Sequence, residues 1–321
     1  MRPRTRRPGG RSGPSRVASP AWASLALAAW VSWAVAGCAG SSGSSPPPGP
    51  GPAVQNRQFS IDGVVRSYRV YAPPTVGARR LSPLLVVLHG GGDSVTSTVD
   101  TTMFDRQAQA SNYIVAYPEG TRLEWNAGFC CGTAPSRNVD DVGFLNQVLD
   151  RLEADYPIDR ARIFLAGVSN GAMLAYRFAC EHAERVTAVG SVAGSMVLDS
   201  CHPSRPVSVI EVHGTADPLV PFQGGHTEFG VADSSFSYSP IMALSQRWAD
   251  LDGCPPSSAV TTSGPVVTMS WVGCHNGSAV SLVSVTGGGH VWFAPGLGSA
   301  DGSLDATQVI GTFLARLRPV P

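Results

Sequence analysis

The chain has 321 residues, 43% of them hydrophobic and 14% charged, which is ample apolar material for a core and far from a disordered composition. Its 23 basic and 23 acidic residues balance, yet Arg2, Arg4, Arg6, Arg7, Arg11 and Arg16 all precede the first acidic residue; setting them aside leaves 17 against 23, a net charge of −6. A nucleic-acid partner calls for a basic excess, so that class is set aside.

The arginine-rich start leads into an apolar run, Ala21 to Ala36, that is short and alanine-rich for a membrane span. It ends in Val35-Ala36-Gly37-Cys38, small residues before a cysteine, which resembles a bacterial lipobox. The expectation is a signal peptide over 1–38, lipidation at Cys38, and a secreted or cell-surface protein touching membrane only through that anchor. Residues 39–55 are rich in Gly, Ser and Pro and read as a tether, leaving 56–321 as a single folded domain.

Within that domain, Val64 to Tyr71 alternates and ends at Ala72-Pro73-Pro74, a strand stopped by prolines. Leu84 to Leu88 and Tyr113 to Tyr117 are continuous apolar runs, the pattern of strands buried on both faces. Asp140 to Tyr156 has apolar residues at helical spacing, and Asp140-Asp141 suit a helix start better than a paired acid and base. Strand Arg162 to Ala166, helix Asn170 to His182, and strands Thr187 to Val192 and Val207 to Val212 follow. A helix over Ile241 to Leu251, strands Val266 to Trp271 and Val280 to Val285, and a helix over Leu304 to Leu317 complete the order. Alternating strands and helices predict an α/β fold: a mainly parallel sheet flanked by helices, with at most a small cap.

Gly167-Val168-Ser169-Asn170-Gly171 matches the G-x-S-x-G nucleophile elbow, and its context supplies the specificity. An apolar strand runs into it and a helix runs out, placing the Ser169 hydroxyl at a helix N-terminus. A serine needs an oriented base, and in this fold the acid and then the histidine follow it in the chain. Asp217, in the loop His213-Gly214-Thr215-Ala216-Asp217 after a strand, is the expected acid, with Asp233 and Asp250 as alternatives. His290, after a strand and Gly287-Gly288-Gly289, is the expected base, ahead of His275 and His226. His89-Gly90-Gly91-Gly92 supplies flexible backbone for an oxyanion hole, with donors expected at Gly91, Gly92 and Asn170. His89 itself reads as structural. A phosphate loop would want a lysine, and the chain has none.

Besides Cys38 there are six cysteines: Cys130, Cys131, Cys180, Cys201, Cys254 and Cys274. An even number in an exported protein suggests disulfides, and the sequence leaves the pairing open. Cys254 with Cys274 is favoured because they bracket a Pro/Gly-containing segment suited to a hairpin. No spacing suggests zinc.

The strings His89-Gly90-Gly91-Gly92, Trp125-Asn126, Cys130-Cys131-Gly132, Val139-Asp140-Asp141-Val142-Gly143-Phe144, the elbow, the Asp217 loop and Gly288-Gly289-His290-Val291-Trp292 occur in that order. Together they resemble the LpqC-like polyhydroxybutyrate depolymerase and feruloyl esterase group, related to carbohydrate esterase family 1, over residues 57 to 318. The resemblance implies an α/β-hydrolase fold and an extracellular carboxylic ester hydrolase without metal or cofactor. It implies polyester or feruloyl/acetyl polysaccharide esters as substrates, and Ser169, Asp217 and His290 as the catalytic residues. Trp125 and Trp292 are candidates to stack on an aromatic acyl group or a sugar, against simple core packing. The rival from another class is a catalytically silent surface lipoprotein of the same fold that binds polymer or a partner.

Overall fold

The computed structural model describes residues 53–317 except 62, 78–79, 228–235 and 296–303, so Cys38, most of the expected tether and Asp233 lie outside it. Among the described residues ten strands form one sheet: β1 (Val54–Ile61), β2 (Val64–Tyr71), β3 (Ser82–Leu88), β4 (Ile114–Pro118), β5 (Ile158–Val168), β6 (Ala188–Val192), β7 (Ser208–Gly214), β8 (Ala259–Ser263), β9 (Val266–Trp271) and β10 (Val280–Val285). Their order across the sheet is β1-β2-β4-β3-β5-β6-β7-β10-β9-β8. The six strands from β4 to β10 run parallel, and an antiparallel hairpin closes each edge.

The sheet divides the core in two. Leu84, Val86 and Leu88 of β3 face α3 (Asp141–Asp155), α4 (Asn170–Glu181) and α5 (Ile241–Leu251). Leu85 and Val87 face α2 (Phe104–Ser111) and α6 (Ala306–Arg316). Each such buried Val or Leu contributes roughly 1.5–3 kcal/mol, and both faces of a central strand are apolar because both are covered. Among the described residues no helix is long and apolar enough to cross a membrane.

Most expected elements appear within two residues of their predicted ends. Four were not foreseen. β1 begins at Val54, inside the stretch read as tether, and pairs antiparallel with β2 from Val54↔Tyr71 to Ile61↔Val64. α1 (Val95–Thr102) and α2 occupy a segment with little helical signal. The α1 sequence VTSTVDTT is largely β-branched, yet the Ser94 side chain caps it by accepting from Ser97 N at 3.3 Å, and buried Thr98 and Thr102 dock it. β8 is an exposed edge strand that forms a hairpin with β9.

The six cysteines among the described residues are paired: Cys130–Cys131, Cys180–Cys201 and Cys254–Cys274. The favoured Cys254–Cys274 bridge is present, and it brackets the β8–β9 hairpin.

Candidate active site

Parallel strands end on one edge of a sheet, and side chains on the loops beyond that edge converge. Cross-strand register aligns Val168 of β5, Val192 of β6 and Val212 of β7 there, with Val283 of β10 beside Val212. The three residues expected to form the triad, Ser169, Asp217 and His290, all follow these strand ends.

Ser169 sits between β5 and α4 with φ 53° and ψ −123°, a conformation a non-glycine residue adopts only where its surroundings force it. The flanking glycines explain how. A Cβ on Gly167 would lie 2.6 Å from the backbone carbon of Gly171, and one on Gly171 would lie 2.5 Å from Leu88 O. The elbow therefore turns so tightly that strand, helix and the end of β3 touch through bare backbone. Ser169 N donates to Val192 O at 2.9 Å, which pins the turn to β6.

Asp217 is buried and its acceptor sites are filled. Oδ1 accepts from Leu219 N at 2.8 Å and Val220 N at 2.9 Å, while Oδ2 lies 2.8 Å from His290 Nδ1. Burial alone would raise this carboxyl, but hydrogen bonds from His213 and His290 hold it well below the usual carboxylate range. With Nδ1 donating to Asp217, the lone pair of His290 lies on Nε2, the arrangement a general base requires. Ala216 N donates to Gly288 O at 2.9 Å, so the acid-bearing and histidine-bearing loops are stitched together. Ser169 Oγ has no hydrogen-bond partner among the described residues, and serine–histidine contacts commonly tighten only once substrate is bound.

The glycine loop after β3 packs on the elbow. A Cβ on Gly90 would lie 3.7 Å from Ser169 Cβ, and one on Gly91 would lie 3.5 Å from Asn170 Cβ. The N–H groups of Gly91 and Asn170 have no acceptor among the described residues. Gly92 is a correction: its N–H donates to Leu123 O at 2.8 Å, so it is committed to the segment after β4 and not to an oxyanion. His89 is structural, as expected. It is buried, Nε2 accepts from Gly120 N at 2.8 Å, Nδ1 faces Gly90 O at 2.7 Å, and burial lowers its basicity.

Trp125 and Trp292 are also corrected. Trp125 is fully buried; its Nε1 donates to His89 O at 2.9 Å, and its backbone exchanges hydrogen bonds with the Asn170 side chain at 2.8 and 3.0 Å. It clamps the loop after β4 onto the elbow helix. Trp292, 4% exposed, packs edge-on to Phe104 and donates to Thr307 Oγ1 at 3.2 Å. Neither offers a ring face to a ligand.

Of the alternatives, Asp250 is exposed on α5 and bonds Gln246. His275 lies just before β10, at the opposite sheet edge from Ser169, and His226 is exposed and bonds Phe236 O. Asp140 caps α3 by accepting from Gly143 N, whereas Asp141 is buried, bonding Arg66 at 2.7 Å and Asn126 N at 2.7 Å.

Sequence reasoning missed Glu211 and His213 as a pair. Both are fully buried in β7 and joined at 2.8 Å. Two ionisable residues two positions apart in an otherwise apolar strand were the available signal, because buried charges must be paired. It also missed an exposed aromatic surface: Phe129 is 44% exposed and stacks on Phe236 at 5.5 Å, and Phe236 meets the buried Tyr238 edge-on. Burial and the nearby Asp217 charge push the Tyr238 phenol up to about 12.

A groove of about 800 Å³ between α2 and α6 is lined by none of Ser169, Asp217 and His290. Among the described residues no cluster of three or more His, Cys, Asp or Glu side chains is arranged to hold a metal ion.

A family profile described as Phospholipase/Carboxylesterase matches residues 75–231. "Putative esterase NocK" from Nocardia uniformis subsp. tsuyamanensis is 29% identical over 307 residues, covering 84% of this chain and 88% of that protein. Feruloyl esterase C from Emericella nidulans is 26% identical over 265 residues, covering 80% of this chain and 87% of its own. The solved acetyl xylan esterase from Aspergillus awamori superposes with a TM-score of 0.52 at 14% identity, covering 74% of this chain and 94% of that one, a likeness of fold. These likenesses agree with the esterase resemblance carried by the ordered motifs.

Proposed function

We propose that the chain, which is similar to esterases and carboxylesterases, acts outside the cell as a serine esterase working through an acyl-enzyme. Ser169 attacks the ester carbonyl while His290 Nε2 takes its proton and passes it to the leaving alcohol. Asp217 fixes the imidazole tautomer and stabilises the imidazolium. The N–H groups of Gly91 and Asn170 hold the tetrahedral oxyanion, each contributing roughly 3–4 kcal/mol to transition-state stabilisation. Water, activated by the same histidine, then releases the acid.

The observation that carries this reading is the strained Ser169 backbone on the same sheet edge as the 2.8 Å Asp217–His290 hydrogen bond. For the substrate we propose esters attached to a polymer, of the feruloyl or acetyl polysaccharide or polyhydroxybutyrate type. The exposed Phe129–Phe236 stack supports an aromatic or apolar acyl group, since a flat ring can extend the stack. A signal peptide over 1–38 with lipidation at Cys38, and a tether leading to the catalytic domain, would place the enzyme at the cell surface where such polymers are met.

The test is hydrolysis of p-nitrophenyl acetate, methyl ferulate and short hydroxybutyrate oligomers by the purified protein, beside Ser169→Ala. We expect cleavage that falls by at least about 10³-fold in the variant. Residual activity near that of the parent protein would remove Ser169 from the reaction.

A further inference from the structure

We propose that His213 is a constitutively protonated positioning residue that holds Asp217 and tempers the basicity of His290, an inference that rests on the serine-esterase reading above. Glu211 and His213 stand two residues apart on β7 and so share one face of the sheet. Both side chains are fully buried. His213 Nδ1 lies 2.8 Å from Glu211 Oε1, and Nε2 lies 2.8 Å from Val220 O and 3.3 Å from Asp217 Oδ2.

The chemistry of these partners decides the charge on the ring. A peptide carbonyl only accepts. Glu211 Oε2 already accepts from Tyr176 OH at 3.0 Å, and Asp217 Oδ2 already accepts from His290. A neutral imidazole carries one N–H, so it would aim a lone pair at an oxygen acceptor on one side. A ring protonated on both nitrogens satisfies every contact. Burial disfavours the charge, but hydrogen bonds to Asp217 and Glu211 outweigh it and raise His213 to about 9. The groups facing it are Glu211 on its own strand, Tyr176 of α4 behind Glu211, Asp217 and Val220 on the following loop, and His290 beyond Asp217. The Phe222 ring, 6.0 Å away between centroids, closes the remaining side.

The consequence lies in the shared carboxylate. Asp217 Oδ2 faces an imidazolium on one side and the catalytic imidazole on the other. Asp217 divides its charge between the two rings, so loss of the His213 cation should strengthen its hold on a proton at His290. Two backbone N–H groups on Oδ1 and the His213 cation leave Asp217 no freedom to rotate away.

The protonation claim is tested without reference to activity, by NMR of the full chain with ¹⁵N-labelled histidine. At pH 8 we expect one ring with the imidazolium signature, absent from the spectrum of His213→Gln. A neutral signature for His213 at pH 8, as in a pair with a protonated Glu211, overturns the proposal. The tempering claim is tested by the pH profile of kcat/KM for p-nitrophenyl acetate. His213→Gln leaves Glu211 buried without its partner, so Glu211→Gln/His213→Gln is measured beside it, retaining a neutral hydrogen-bonding pair if the single variant does not fold. The acid limb should move to higher pH by roughly half a unit to one unit. A limb that stays in place overturns the role. Failure of the serine-esterase reading would show instead in Ser169→Ala retaining activity, a result that leaves the NMR outcome unaffected.

Discussion

The two ends of β7 hold buried carboxylates in contrasting settings. Beyond its carboxyl end, Asp217 faces four donors: two backbone N–H groups, His290 and His213. Beside its amino end, Asp252 accepts from Val207 N at 3.0 Å, while its Oδ2 has no partner. Burial penalises both charges, yet Asp217 is held well below the ordinary carboxylate range and Asp252 is pushed up to about 7. Depth alone therefore does not set the state of a buried acid; the supply of donors does. The loop edge of the parallel sheet is furnished for charge, and the opposite edge is furnished for packing.

The contrast is broken most severely at Asp217. Asp217→Asn keeps the shape but removes the charge and permits the wrong histidine tautomer, so kcat should drop by about 10³–10⁴-fold with the fold intact by circular dichroism. A loss under about tenfold would mean that the acid is another residue. The opposite edge should respond in stability and not in rate. The Cys254–Cys274 bridge closes a loop of sequence separation 20 just beyond Asp252. The Cys254→Ser/Cys274→Ser variant should lose about 3 kcal/mol in urea unfolding while kcat/KM at 25 °C is unchanged.

The smallest effect belongs to Asp252. Its native state binds a proton more tightly than the unfolded chain, so its ionisation lowers stability as pH rises from the ordinary carboxylate range to about 7. Asp252→Asn cannot ionise and should remove this decline, a difference on the order of 2 kcal/mol between pH 4 and pH 8. Parallel unfolding curves for the two proteins across that range would show that Asp252 is not perturbed.

Legibility in the sequence followed the same division. The elbow, the acid loop and the histidine loop were readable because their chemistry demands particular residues in a fixed chain order. The central strands were readable because burial on both faces leaves an unbroken apolar run, as in Leu84 to Leu88. Trp125 and Trp292 were misassigned because an indole near a catalytic motif looks the same whether it faces ligand or core; only its burial separates the two. Gly92 was misassigned because a glycine string does not say which N–H is already spent on a distant carbonyl, here that of Leu123. α1 went unseen because tertiary docking and a Ser94 cap override the preference of its β-branched residues. The Glu211–His213 pair was visible in the residues of β7 but acquires meaning only when Asp217 is seen to share it.

The central claim is that Ser169 is the activated nucleophile of this site. The most direct measurement is peptide mass spectrometry after incubation with a fluorophosphonate, which phosphonylates only a serine activated by a base. A single adduct is expected on the peptide containing Ser169, and none in Ser169→Ala. An adduct on another serine, or no adduct on folded protein that cleaves esters, would contradict it.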